Sequence, residues 1–287
     1  MPRQAYVNGR YQPHSDAAVH IEDRGYQFAD GVYEVVPVYN GILVDEDLHF
    51  DRLDRSLAEL QIEEPMSRPA LKLVARELMR RNGLSNGFVY MQVTRGVAPR
   101  DHKFPKDSRP ALVLTTRQMK PHSPQVLAEG LKVITVTDQR WDRCDIKSVS
   151  LLPNVLGKQA AAEAGAYEAW QVDGDGMVTE GTSTNAWIVT GDNKVVTRDA
   201  THSILNGITR ITLLELIKAE GYSLEERSFS VAEAQEAREA FLTSSTSFVL
   251  PVTQLDGKPI GNGHPGILTG KLRHHYMDYM QTLRKSA

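Results

Sequence analysis

The sequence predicts a mixed α+β fold in two domains, and three observations carry that prediction. Helical and strand patterns interleave along the 287 residues without a repeating β-α-β rhythm, so the regular parallel α/β class does not fit. The length exceeds what one core usually serves and suits two domains of ordinary size. One stretch, Lys120-Pro121-His122-Ser123-Pro124, has the prolines and polar residues of a stiff, extended connection. The expected division is a smaller N-terminal α/β domain over 1–119, a connection over 120–125, and a larger C-terminal domain over 126–287 that carries Lys147.

Taken in order, the chain opens with strand, Asn8-Gly9 turn and strand, which is hairpin chemistry, and Tyr39-Asn40-Gly41-Ile42 is a second hairpin turn. The stretch 22–36 passes from loop to strand. Asp47 is the expected cap of a helix whose Phe50, Leu53, Leu57 and Leu60 form one apolar stripe, with Arg52 beside it. A second helix is expected over about 67–81, stopped by Gly83. Strands follow at 88–96 and 111–116 on either side of the polar loop VAPRDHKFPKDSRP. Beyond the connection come a strand at 131–137, the stretch WDRCDIKSVSLL, and a helix begun by Pro153. Short strands at 168–172, 177–180, 185–189 and 195–197 read as a meander. A helix over 207–219 capped by Asn206, a strand at 240–242 and a final helix over 269–283 complete the chain.

Composition excludes several functions. With 41% hydrophobic and 24% charged residues, the chain reads as a water-soluble globular protein. A net charge of −3 offers no electrostatic case for nucleic acid or an anionic membrane. The single cysteine, Cys144, forbids an intramolecular disulfide and favours a reducing compartment. The opening MPRQAYVNGRYQP lacks the apolar core of a signal peptide, and no apolar run approaches the roughly 20 residues of a membrane span, so a cytoplasmic location is expected. His274 and His275 are adjacent and diverge on a helix, and no HExxH or paired CxxC exists, so no metal site is expected.

The candidate chemistry centres on Lys147. If WDRCDIKSVSLL is a strand, Arg143, Asp145 and Lys147 share a face beside an apolar run. The plainer reading is a surface lysine on an edge strand; the chemical reading is an amine that forms Schiff bases. Three hydroxyl-rich turns offer anion cups: Gly181-Thr182-Ser183-Thr184-Asn185, Asn206-Gly207-Ile208-Thr209 at a helix start, and Thr243-Ser244-Ser245-Thr246-Ser247. Such runs are usually turns or caps, and no GxxxxGK[ST] is present, which argues against a nucleotide triphosphatase. Glu180, at a strand end, is either a solvated carboxylate or one that keeps a heterocyclic nitrogen protonated, as an electron-sink cofactor requires. Arg100 and His102 lie two residues apart in PRDHKFP and would grip a carboxylate if the backbone is extended; otherwise they are solvated loop charges.

Six ordered stretches together resemble one family: RGYQFADGVYEV, PRDHKFP, RCDIKS, TEGTSTN, ILNGITR and TSSTS. The chain is similar to pyridoxal-phosphate aminotransferases of the branched-chain/D-amino acid group (class IV, fold type IV), nearest its D-amino acid transaminases, over almost the whole length. The resemblance implies that Lys147 holds pyridoxal 5'-phosphate and moves the substrate Cα proton, and that Glu180 pairs with the ring nitrogen. It implies phosphate contacts from Arg52, Ile208, Thr209 and Thr246, and packing of Leu205 on the ring. Tyr33, Arg100 and His102 match the family's trap for the substrate α-carboxylate, the last two supplied by the neighbouring subunit of a homodimer.

The implied activity is transfer of an amino group from a D-amino acid, D-alanine first, to 2-oxoglutarate by a ping-pong route. The alternatives within the fold are a branched-chain or (R)-amine transaminase, or an aminodeoxychorismate lyase. The PRDH loop favours the D-amino acid enzymes, whereas SVSLLPN and TSTN depart from their pattern and bear on side-chain preference. Outside the family, the rival is a non-catalytic binder of phosphate ligands in which Lys147 is structural.

Overall fold

In the computed structural model, which describes residues 3–286, the chain separates into two compact units. One holds the residues up to Lys120 together with Ile146–Ser150; the other holds Pro121–Asp145 and Leu151–Lys285.

The first unit is built on a six-stranded antiparallel sheet in the order Arg10–Pro13, Gln4–Val7, Ala111–Gln118, Gly87–Thr94, Gly31–Tyr39, Ile42–Leu43. Both sequence-predicted hairpin turns form. Asn8 and Gly9 take φ of 44° and 94°, and Asn40 and Gly41 take 50° and 82°, the left-handed pair that a tight two-residue hairpin demands. Helices Glu46–Glu59 and Arg68–Asn82 supply Phe50, Leu53, Leu57, Leu71, Ala75 and Leu78 to the core of this unit. Each of the leucines and the phenylalanine, taken fully out of water, contributes about 1.5–3 kcal/mol. The first helix is preceded by Asp45, in the left-handed region, and not capped by Asp47 as expected; Asp47 lies within the first turn and pairs with Lys72 and Arg68. A short helix the sequence did not signal, Arg24–Phe28, is capped by the Asp23 carboxylate, which accepts from the Gly25 N–H at 2.8 Å.

The second unit carries a nine-stranded mixed sheet. Eight strands run in the order Leu224–Glu226, Val195–Thr197, Asn185–Val189, Glu239–Ser244, Phe248–Leu255, Leu131–Thr137, Glu168–Val172, Val178–Gly181, and Lys258–Pro259 pairs with Phe248–Leu255. Asn185–Val189, Val178–Gly181 and Val195–Thr197 are buried at every position, so these strands meet water on neither face. Trp187 stacks on Phe241 and its indole N–H donates to Thr243 Oγ1 at 2.9 Å, which gives a buried polar atom its partner. Phe248–Leu255, not among the expected strands, lies inside the sheet, paired on both sides, although it contains Pro251. Pro124 begins a short helix capped by Ser123, so the proposed connection is extended only before that point.

Candidate active site

The stretch around Lys147 is not a strand. Its backbone turns at Cys144 and Asp145, and only Ser148 makes an isolated bridge, to Val32. The alternation of faces therefore does not hold, and the Arg143 guanidinium instead pairs with the Asp145 carboxylate at 3.0 Å on both prongs. What fixes Lys147 is the first unit. Ile146 is 4% exposed in that unit's core. The Tyr33 N–H donates to the Lys147 carbonyl, and the Val149 N–H to the Gly31 carbonyl, both at 3.0 Å. The Lys147 N–H donates to Ser56 Oγ at 3.3 Å. The side chain is half-buried, with its ammonium 4.2 Å from the centroid of the Tyr33 ring. A primary amine is thus presented from a clamped backbone against an aromatic face.

Tyr33 is itself stacked on Tyr90, whose hydroxyl donates to Gln92 at 2.6 Å and is pushed up to about 12 by burial and the neighbouring phenol. Arg52, beside the apolar stripe of its helix, is buried. Its Nε and Nη2 donate to the two oxygens of Glu34, each at 2.8 Å, and His49 Nδ1 lies 2.7 Å from Glu34 Oε2. Because a carboxylate only accepts, Nδ1 carries the proton in that contact. Burial would raise the Glu34 carboxyl, but Arg52 and His49 outweigh it and hold the group at about 2. Burial holds His49 below its ordinary range.

Arg100 and His102 are exposed on an irregular loop. Both meet one ring: the Arg100 guanidinium is 4.5 Å from the centroid of Phe28, and the His102 ring 5.3 Å from it. Arg24 holds the loop from below by donating to the Asp101 carbonyl at 2.5 Å, and the Arg95 guanidinium lies 3.6 Å from the centroid of Phe104. Arg24 and Arg95 both converge on Asp30 at 2.8 Å.

In the second unit Glu180 lies near the end of strand Val178–Gly181 and is 5% exposed. Its Oε1 accepts from Arg140 Nη1 and, at 3.0 Å, from the Leu205 N–H; its Oε2 accepts from Asn185 Nδ2 at 3.0 Å. Asn185 Nδ2 also reaches the Leu205 carbonyl at 2.9 Å. Leu205, half-buried, is therefore tied to Glu180 through its backbone. Asp138 takes Arg140 Nε and Nη2 at 3.0 and 2.7 Å and the Thr179 hydroxyl at 2.7 Å.

Helix Ile208–Ala219 begins at Gly207 and not at Asn206; the Asn206 amide oxygen accepts from Arg210 instead. The cap residue, Gly207, has no side chain to bond the first turn, and Ile208 and Thr209 are each 2% exposed. A Cβ on Gly207 would lie 2.2 Å from Asn185 Oδ1, so only glycine lets this turn approach the asparagine that holds Glu180. The 244–247 turn is internally bonded, with the Ser247 N–H donating to Ser244 Oγ at 3.0 Å and Thr246 half-buried beside them. The 181–185 turn is not an anion cup. Thr182, Ser183 and Thr184 aim their hydroxyls at the carboxyl of the fully buried Glu168, which takes the place an anion would need.

Sequence reading missed Glu34, His49, Asp138, Arg140 and Glu168. Only Arg140 carried a signal, an arginine between Asp138 and Trp141 after a strand. Cys144 is half-buried and its thiol is pushed up to about 12 by burial, in keeping with an inert side chain.

Comparison with known proteins follows the same lines. Residues 31–255 match the family described as Amino-transferase class IV. The chain is 47% identical over 263 residues to the D-alanine aminotransferase of Bacillus licheniformis, covering 91% of this chain and 92% of that one. It is 40% identical to that of Listeria monocytogenes over 95% of this chain and 94% of the relative. It is 37% identical to that of Staphylococcus haemolyticus, over 97% and 98%. The fold is similar to the branched-chain amino acid aminotransferase of the archaeon Thermoproteus uzoniensis with norvaline, with a TM-score of 0.84 at 22% identity over 96% of this chain and 93% of that one. The Escherichia coli branched-chain enzyme gives 0.88 at 21% identity, over 96% and 94%.

Proposed function

The chain belongs to the class IV aminotransferases, and from that premise we propose that it moves the amino group of a D-amino acid, D-alanine first, to 2-oxoglutarate. The observation that carries the substrate reading is the near full-length similarity to several D-alanine aminotransferases. The cofactor is pyridoxal 5'-phosphate, which when bound supplies the electron sink for a carbanion at the substrate Cα.

The residues present fit that cofactor. Lys147 offers a half-buried primary amine on a pinned backbone. Glu180 offers a buried, multiply hydrogen-bonded carboxylate, and the helix after Gly207 offers a start whose cap residue has no side chain. Lys147 would attach the cofactor and, once released, take the substrate Cα proton as general base. Glu180 would accept the proton-bearing ring nitrogen. Ile208 and Thr209, through the helix start, would bind the phosphate with Thr246 and Arg52, the last set by its two-pronged bond to Glu34. Leu205 would pack on the ring. Tyr33, Arg100 and His102 would hold the substrate α-carboxylate. The exposure of Arg100 and His102 on their loop supports a homodimer in which they serve the neighbouring subunit. We take 120–125 as the main connection between domains 1–119 and 126–287, with Ile146–Ser150, and so Lys147, counted with the first. A cytoplasmic setting is supported by the lone cysteine.

The test uses purified protein loaded with pyridoxal 5'-phosphate, D- or L-alanine, and 2-oxoglutarate. D-alanine should bleach the cofactor's visible band and 2-oxoglutarate restore it, and borohydride should fix the label on Lys147. Bleaching by L-alanine alone, turnover without an oxo-acid acceptor, or a label on Lys158 would overturn the reading.

A further inference from the structure

The Glu180 carboxylate sits against a cation that the reaction as described does not use. We propose that Arg140 is a positioning residue of the transamination: braced by Asp138, it holds Glu180 as an oriented, ionised carboxylate toward the cofactor's ring nitrogen. This rests on the reading of Glu180 as that nitrogen's partner.

The geometry is a relay of fixed donors. Arg140 spends Nη1 on Glu180 and Nε and Nη2 on Asp138, and its own backbone N–H donates to Asp138 Oδ1 at 3.0 Å. Nη2 also reaches the Ser203 carbonyl at 3.1 Å and Thr179 Oγ1 at 3.2 Å. The planar fork is thereby tied at both ends, so the Glu180 plane is set by Arg140 on one side and by Asn185 and the Leu205 N–H on the others. The Arg140 and Glu180 side chains are each 7% exposed.

The charge argument runs the same way. A carboxyl this buried, left alone, favours its neutral form. A neutral acid has a proton to give and would compete with the ring nitrogen as donor, whereas a carboxylate only accepts and so leaves the proton on the ring. Asp138 keeps the arginine from over-compensating: the two present Glu180 with the positive end of a paired dipole. Burial works against both charges here, yet Asp138 is held below the usual carboxylate range by Arg140, and Arg140 is raised above its ordinary range by Asp138 and Glu180. The other groups facing Arg140 are the Cys144 thiol and the Thr179 hydroxyl.

Asp138, Arg140, Thr179 and Ser203 also line a cleft of about 820 Å³. Water therefore fills the space a shorter side chain leaves, and because Arg140→Met also strands the Asp138 and Glu180 carboxylates, Arg140→Lys, which keeps the cation, is the variant expected to fold most nearly as the wild type.

The experiment is a double-mutant cycle of Arg140→Met and Glu180→Gln on the loaded enzyme, with Arg140→Lys as the conservative variant and circular dichroism as the check on folding. Each is also loaded with a deaza cofactor that has carbon in place of the ring nitrogen. Arg140→Met should lower kcat about 10- to 100-fold with KM little changed, and shift the pH at which the cofactor's visible band titrates. Arg140→Lys should recover part of both. In the Glu180→Gln background, and with the deaza cofactor, the further loss from Arg140→Met should be under about threefold. An equal loss in both backgrounds, or an unmoved band, overturns the positioning role. If Glu180→Gln alone leaves band and kcat unchanged, the reading of Glu180 itself fails, and the role of Arg140 with it.

Discussion

Replacing Glu34 by glutamine should destabilise the protein by about 3 kcal/mol at pH 7, because it strands a buried cation. The substitution keeps the shape but removes the charge that Arg52 and His49 share. The magnitude follows from the carboxyl itself, lowered from an ordinary 4.5 to about 2 in a fully buried position; that shift corresponds to about 3 kcal/mol by linkage. It agrees with the roughly 3–5 kcal/mol lost when one partner of a buried pair is removed. The sign is that of a depressed acid: the stabilisation is complete above the unfolded value near 4.5 and drains away as pH falls toward 2. The gap between wild type and Glu34→Gln should therefore shrink to about half its value at pH 3. Urea unfolding of the apoprotein at the two pH values measures both gaps. A loss under about 1 kcal/mol at pH 7, or a gap that does not narrow in acid, would refute the pairing as the source of the stability.

Two further substitutions test separate assignments, one in each unit. Gly207→Ala drives a methyl onto Asn185 Oδ1 and so disturbs the hold on both Glu180 and Leu205; pyridoxal 5'-phosphate should bind about tenfold more weakly in a fluorescence titration, and unchanged binding would refute the tightness of that turn. Arg100→Ala should raise KM for substrates bearing an α-carboxylate by about tenfold or more while leaving primary amines without one nearly unaffected, as the loss of a two-pronged arginine contact predicts; equal losses on both would remove the arginine from the trap.

What the sequence disclosed and what it withheld divide by the range of the interaction. Turn chemistry at Asn8-Gly9 and Asn40-Gly41 and the apolar spacing of Phe50, Leu53 and Leu57 are local, and the corresponding elements are present. Lys147 was conspicuous for a reason that does not hold, the alternation of a strand; the motifs around it placed attention on the same residue by a separate route. Polar pairing was the hidden part. Glu34 meets Arg52 across 18 residues and Arg140 meets Glu180 across 40, and no periodicity in one dimension encodes such encounters. Buried carboxylates were misjudged for the same reason. The hydroxyls of Thr182, Ser183 and Thr184 looked like an anion cup because the carboxyl they serve, that of Glu168, lies 14 to 16 positions earlier.

The five residues Ile146–Ser150 belong to the first unit although the chain on either side of them belongs to the second. Neither unit is thus a continuous length of polypeptide, and the covalent chain passes between them at 120, again at 145, and back at 150. A fragment cut at the connection would contain the sheet that clamps the lysine but not the lysine, and its core would lack Ile146. The clamp on Lys147 is consequently a return of the chain to a unit it has already left: severing the gene at its most obvious seam parts the lysine from the strand and helix that hold its backbone.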